Sequence, residues 1–137
     1  MKRVFLDTNI LLDYGLDREQ ADYAENILVL GQMGKIELYA SYLSYANMGY
    51  ILRHHSVAEI YSLVRMMRQP VEVLTCDAAQ LDEGLNFEVK DFEDMLQYQC
   101  AKAAGCDVIV TNNKKDFQQF CKLPFLTSEE FLLQLDL

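Results

Sequence analysis

Val4-Phe5-Leu6-Asp7-Thr8-Asn9, with Asp13 four residues further on, is the stretch that decides how this chain reads. A continuous apolar run with β-branched and aromatic members reads as a strand buried on both faces. Asp7 then falls at the carboxyl end of that strand. In open α/β sheets, ligands bind in the crevice outside those ends. Residues 9–13 read as helix, and Asn9 and Asp13, four apart, share a face. One short segment is therefore expected to aim Asp7 and Asp13 at one point. Two carboxylates aimed at one point repel, more so in a low-dielectric site. No Arg or Lys stands between them, so a proton, a more distant cation or a metal ion must offset the repulsion. Oxygen ligands favour Mg²⁺ or Mn²⁺. The alternative is that Asp7 caps the next helix and Asp13 is a solvated face residue.

Outward from this stretch, strands and helices alternate. Residues 36–40, 71–74, 108–110 and 124–126 read as further strands. Helical patterns cover residues 18–33, a segment opened by Ser41 or Ser44 and running to about 55, 57–69, 77–85, 91–104, 114–121 and 128–135. Gly15, Gly34 and Gly105 punctuate helix ends, Pro70 stops another, and Thr127 with Glu130 forms a capping box. The alternation predicts an α/β fold with a parallel sheet covered on both faces. No repeat, linker or low-complexity segment interrupts it, so residues 1–137 are expected to form a single domain.

Hydrophobic residues make up 51% of the 137, enough for a packed core. No apolar run approaches the roughly 20 residues of a membrane span, and no secretory pattern precedes the first strand, so a cytoplasmic protein is expected. Cys76, Cys100, Cys106 and Cys121 lack CxxC spacing and read as reduced thiols rather than a zinc site or disulfide framework. The net charge of −9 disfavours broad binding to phosphate backbones but leaves room for one cleft in which bound cations reverse the local sign.

Acids return at Asp91, Glu93 and Asp94, which open the helix at 91–104. For Asp91 and Glu93 the first turn is explanation enough, since its free N–H groups and the helix dipole favour acids there. Asp94 begins the face Asp94, Gln97, Tyr98, Ala101, which reads as the side packed on the sheet, and an acid at the top of a buried face wants a partner. After the strand at 108–110 comes Thr111-Asn112-Asn113-Lys114-Lys115-Asp116-Phe117, ordinary turn chemistry. It also follows the carboxyl end of a strand, which would bring Asn113 and Asp116 to the crevice of Asp7, with Lys114 and Lys115 beside it to hold phosphate.

Taken together, these blocks resemble the PIN domain family, in particular its compact VapC-like toxin members. The resemblance is carried by Leu6-Asp7-Thr8-Asn9 with Asp13, Ala40-Ser41-Tyr42-Leu43-Ser44-Tyr45-Ala46, Asp91-Phe92-Glu93-Asp94, and Val110-Thr111-Asn112-Asn113 with Lys115-Asp116-Phe117. It implies a three-layer α/β/α sandwich around a mainly parallel sheet of four to five strands. It implies Mg²⁺ or Mn²⁺ held by Asp7, Asp94 and Asp116, which would be the catalytic acids of an endoribonuclease cutting single-stranded RNA. Thr8, Asn9, Asp91, Thr111 and Asn113 would support those acids or the attacking water. A homodimer and a small antitoxin partner are implied as well.

One position departs from the family pattern. Where a glutamate usually stands early in the helix after the second strand, this chain has Asn47. An amide can offer a carbonyl oxygen to a metal but brings no charge and cannot act as a base, and losses around a metal site typically cost about 10–100-fold in affinity or activity. This motivates a competing reading, a catalytically attenuated PIN domain that binds RNA or protein without cutting. Tyr39, Tyr42, Tyr45 and Tyr50 concentrate around the second strand and the next helix and could form core, a dimer surface or a base-stacking platform, core being the first expectation.

Overall fold

Val4, Phe5 and Leu6 are completely buried, because their strand is the middle one. In the computed structural model, which describes residues 1–135, β1 (Arg3–Leu6), β2 (Glu37–Ser41), β3 (Glu72–Leu74), β4 (Val108–Val110) and β5 (Phe125–Leu126) form one sheet in the order β3-β2-β1-β4-β5. Every pairing is parallel. In register, Val4 lies between Leu38 and Val108, and Phe5 between Tyr39 and Ile109. Successive side chains on a strand point to opposite faces, and the core divides accordingly.

On one face, Val4 and Leu6 pack with Ile10, Leu11 and Leu12 of α1 (Thr8–Gly15), with Ile27 of α2 (Ala21–Gln32) and with Met48 of α3 (Tyr42–Ile51). Met67 of α4 (Val57–Arg68) and Phe131 of α8 (Ser128–Gln134) complete that layer. On the other face, Phe5 and Ile109 meet Met95, Tyr98 and Ala101 of α6 (Phe92–Ala103) and Phe117 of α7 (Lys114–Phe117). The helix α5 (Ala78–Leu85) packs against α6, with Gly84 facing Met95 and Leu96. The result is the expected three-layer sandwich with five strands, all parallel.

The chain runs from β1 outward to β2 and β3, then returns across β1 to β4 and β5. The direction of winding therefore reverses between β1 and β4, and the crevice at their carboxyl ends is the position where such sheets bind ligands. Asp7 follows β1 directly, and Thr111 follows β4. The backbone N–H of Asp7 donates to the Val110 carbonyl (3.0 Å), which locks the two strand ends together.

Several expected boundaries move. The second helix starts at Ala21 rather than 18, because the chain first turns through Asp17, whose φ is 50°. The helix at 114–121 is a single turn, α7, beyond which Phe120 packs on Tyr98 and Phe117. The cysteine expectation is corrected: Cys76 and Cys100 are joined in a disulfide, with Cα atoms 5.8 Å apart, while Cys106 and Cys121 are free. Their 24-residue separation carries no motif; the packing of α6 beside the end of β3 brings them together. The tyrosines divide as well. Tyr39 lies in the core on the α6 face and Tyr45 packs against the core on the other face, whereas Tyr42 and Tyr50 are about two-thirds exposed.

Candidate metal centre

The carboxylate of Asp7 is placed by the start of a helix. Asp7 is the N-cap of α1 with extended backbone. One of its oxygens accepts from the Thr8 N–H at 2.8 Å, and the other accepts from the Thr111 hydroxyl at 2.9 Å. The Thr111 hydroxyl in turn accepts from the Asn113 N–H at 3.0 Å. The turn after β4 thus braces the acid after β1. Asp7 is only 3% exposed. Burial raises its pKa to about 6, against the lowering effect of these two hydrogen bonds.

A second group of acids comes from α6 and α7. Oxygens of Asp91, Asp94 and Asp116 lie within 4.8 Å of one another. Asp91 occupies the N-cap position of α6 but makes no capping hydrogen bond, so its carboxylate is left for the cluster. Partial burial first, then the charges of Asp7, Asp116, Asp91 and Glu93, push Asp94 up to about 7. Asp116 is also raised, by desolvation and by Asp91. Two carboxylates with proton affinity near neutrality mark a place where negative charge accumulates without a matching cation.

Asp7, Asp91, Glu93, Asp94 and Asp116 all line one cavity of about 430 Å³. Its other walls include Thr8, Asn9, Asn47, Asn113 and Lys90. Glu93 is the member that reading the sequence passed over as a first-turn acid. Its Oε1 accepts from the Asn47 side-chain amide at 2.6 Å, across from α6 to α3. Lys90 was also missed; it precedes the helix in a loop without periodicity.

Other expected members sit elsewhere. Asp13 does not converge with Asp7. Its oxygens take the Asn112 amide at 3.0 Å and Arg18 at 3.8 Å, in a separate surface cavity that Asn9 and Asn113 share. Asn9 lines both cavities, whereas Asp13, one turn further along α1, lines only the second. Lys114 pairs with Glu130 at 3.0 Å, so its charge is committed there, while Lys115 is exposed. The Thr8 hydroxyl points inward to a buried polar network. It lies 2.7 Å from the Ser44 hydroxyl, and the Gln97 amide nitrogen donates to Ser44 (2.9 Å) and to Thr8 (3.2 Å). The Ser41 hydroxyl donates to the Gln97 carbonyl oxygen (2.5 Å). This network ties the beginnings of α1 and α3 to α6, and so fixes the distance between Asp7 and the α6 acids.

An all-oxygen, carboxylate-rich donor set of this kind suits a hard divalent cation such as Mg²⁺ or Mn²⁺. Comparison with known proteins agrees with the fold. Residues 3–115 match the PIN domain family. The chain is 25% identical to Ribonuclease VapC1 of Aquifex aeolicus over 136 residues, covering 95% of this chain and 93% of that one. Among solved structures, VapBC2 from Rickettsia felis bound to a promoter DNA fragment superposes with a TM-score of 0.69 at 19% identity, covering 90% of this chain and 96% of that chain. VapBC-1 from nontypeable Haemophilus influenzae gives 0.64 at 16% identity, covering 93% and 98%.

Proposed function

This chain belongs to the PIN domain family, and from that premise we propose that it is a Mg²⁺- or Mn²⁺-dependent endoribonuclease. Its substrate is single-stranded RNA, and it is the toxin of a toxin–antitoxin pair. The observation that carries the reading is the convergence of Asp7, Asp94 and Asp116, from three separate elements, on the cavity at the switch point of the sheet. Among the described residues Lys90 is the one cation in the cavity wall to set against their charges, so the donor set fits a divalent ion.

Asp7, Asp94 and Asp116 would hold the ion, with Asp91 beside them. When bound, such an ion stabilises charge on a phosphate and lowers the pKa of an attacking water. The chain's own residues do the positioning. Thr111 and the Thr8 N–H orient the Asp7 carboxylate, and Asn113 braces Thr111. Asn9 and Asn113 line the cavity and offer amides to a phosphate oxygen. Lys90 and the exposed Lys115 supply positive charge for the RNA backbone; Lys114 can join them only by leaving Glu130.

The chain acts as a single domain in the cytoplasm, as a homodimer, and is restrained by a small antitoxin. The VapBC neighbours support that partner. Cleavage of a labelled single-stranded RNA panel with Mn²⁺, Mg²⁺ or EDTA tests the enzyme. Metal-dependent cleavage that drops by at least about 10²-fold in Asp7→Asn is expected, the scale of losing a group central to charge stabilisation. Cleavage undiminished by that change would exclude this site.

A further inference from the structure

On the helix after the second strand, where the resemblance to PIN domains leads one to expect a glutamate, this chain has Asn47. We infer that Glu93 supplies the missing carboxylate from the opposite wall of the cavity, held there by Asn47 as a positioning residue. The inference rests on the metal-centre reading above and deepens it.

Three observations carry it. Glu93 and Asn47 line the same cavity as Asp7, Asp94 and Asp116, although they come from α6 and α3. They touch: the Asn47 amide nitrogen lies 2.6 Å from Glu93 Oε1, the short separation of a charge-assisted hydrogen bond. The orientation of that amide is dictated by chemistry, since the opposite flip would set its carbonyl oxygen against a carboxylate oxygen.

The residue types also explain each other. A glutamate at position 47 beside Glu93 would place like charges in contact, in a cavity that already holds Asp7, Asp91, Asp94 and Asp116, at a cost in Coulomb energy. An asparagine removes that repulsion and turns it into a donor–acceptor contact. The carboxylate count is kept, and one acid has changed elements. Glu93 is exposed, yet its Oε1 reaches across to Asn47 on α3. Its other oxygen, Oε2, accepts no hydrogen bond from the described residues.

Mn²⁺ binding to the metal-free protein, followed by titration calorimetry, is the test. Glu93→Gln is expected to weaken Mn²⁺ by about 10–100-fold, the usual size of such a loss. Asn47→Ala should weaken it by less, and the double variant with Glu93→Gln should be no worse than Glu93→Gln alone, as for residues acting as one unit. Returning the acid to α3, in Asn47→Glu with Glu93→Gln, should recover binding to within about threefold of the natural protein. Asn47→Glu alone should gain nothing.

Glu93→Gln binding as the natural chain does would overturn the inference. So would failure of the exchanged pair to recover, or tighter binding by Asn47→Glu alone, which would mean that the natural site lacks an acid. Asp94→Asn separates this from the broader reading. If Asp94→Asn also leaves Mn²⁺ binding unchanged, the metal centre itself fails. If only Glu93→Gln does, the centre stands without Glu93. Glu93 is exposed, so its replacement leaves the core intact, and thermal unfolding checks that each variant is folded.

Discussion

At the scale of the residue, the acids show a conflict between stability and site. Asp94 keeps its proton up to about pH 7, mainly through desolvation and then through Asp7 and the other acids, whereas in an unfolded chain it would ionise near pH 3.9. Between those values the folded protein binds more protons than the unfolded one, so this group's contribution to stability falls as pH rises. Below the lower value both states are protonated and the effect vanishes. The metal-free Asp94→Asn variant is therefore expected to melt above the natural protein at pH 8 and level with it near pH 4. Asp94 is partly exposed, so solvent screening holds the effect well under the full shift. A gain of about 2–4 °C, equivalent to about 1 kcal/mol in a chain of this size, is the expected scale. Calorimetric melts in EDTA across that pH range check it. A variant that melts lower at pH 8 would mean that the natural carboxylate is stabilised by a partner rather than strained.

At the scale of the element, helix propensity and packing oppose each other at Gly31 in α2. Propensity alone says that alanine there stabilises by about 1 kcal/mol. A Cβ at that position would lie 2.3 Å from Leu38 Cδ1 and 2.8 Å from Leu38 Cγ. Leu38 is buried in β2 and cannot step aside without displacing its neighbours. Overpacking of this kind costs about 1–3 kcal/mol, so contact wins and Gly31→Ala is expected to destabilise by about 1–2 kcal/mol. Denaturant unfolding measures it directly; a stabilised variant would show that α2 can move away from the sheet. The same helix-to-sheet closeness is invisible to periodicity, which places a glycine in a helix only as a weak point. The disulfide is a second element-scale fact beyond the sequence pattern. It joins the segment after β3 to α6, and neither cysteine has a neighbour in sequence to announce the other.

At the scale of the whole molecule, the net charge of −9 gains its meaning from where the charge lies. Five of the acids face one cavity, and a ligand that binds only the folded chain stabilises it in proportion to the logarithm of its concentration. Mn²⁺ at about 100 times its dissociation constant contributes about 2.7 kcal/mol. For this size that is a rise of about 5–10 °C in melting temperature. Asp94→Asn should show little of that rise, and Ca²⁺ or Mg²⁺ can be compared in the same assay. An equal rise in the variant would place the ion outside this cavity.

Much of this was legible in the chain itself. A buried apolar run ending in Asp7, strands alternating with helices, and capping patterns such as Thr127 with Glu130 depend on neighbours a few residues apart, so local chemistry determines them. The five strands, the helices between them and the location of Asp7, Asp94 and Asp116 near strand or helix ends follow from such spacing. Side-chain direction across elements does not. Asp13 turns to Asn112 and Arg18, Lys114 to Glu130, and Thr8 into a network with Ser44 and Gln97. Glu93 reaches Asn47, 46 residues away. Those pairings rest on how α1, α3, α6 and the turn after β4 are stacked around β1, and only the packed sheet sets that distance.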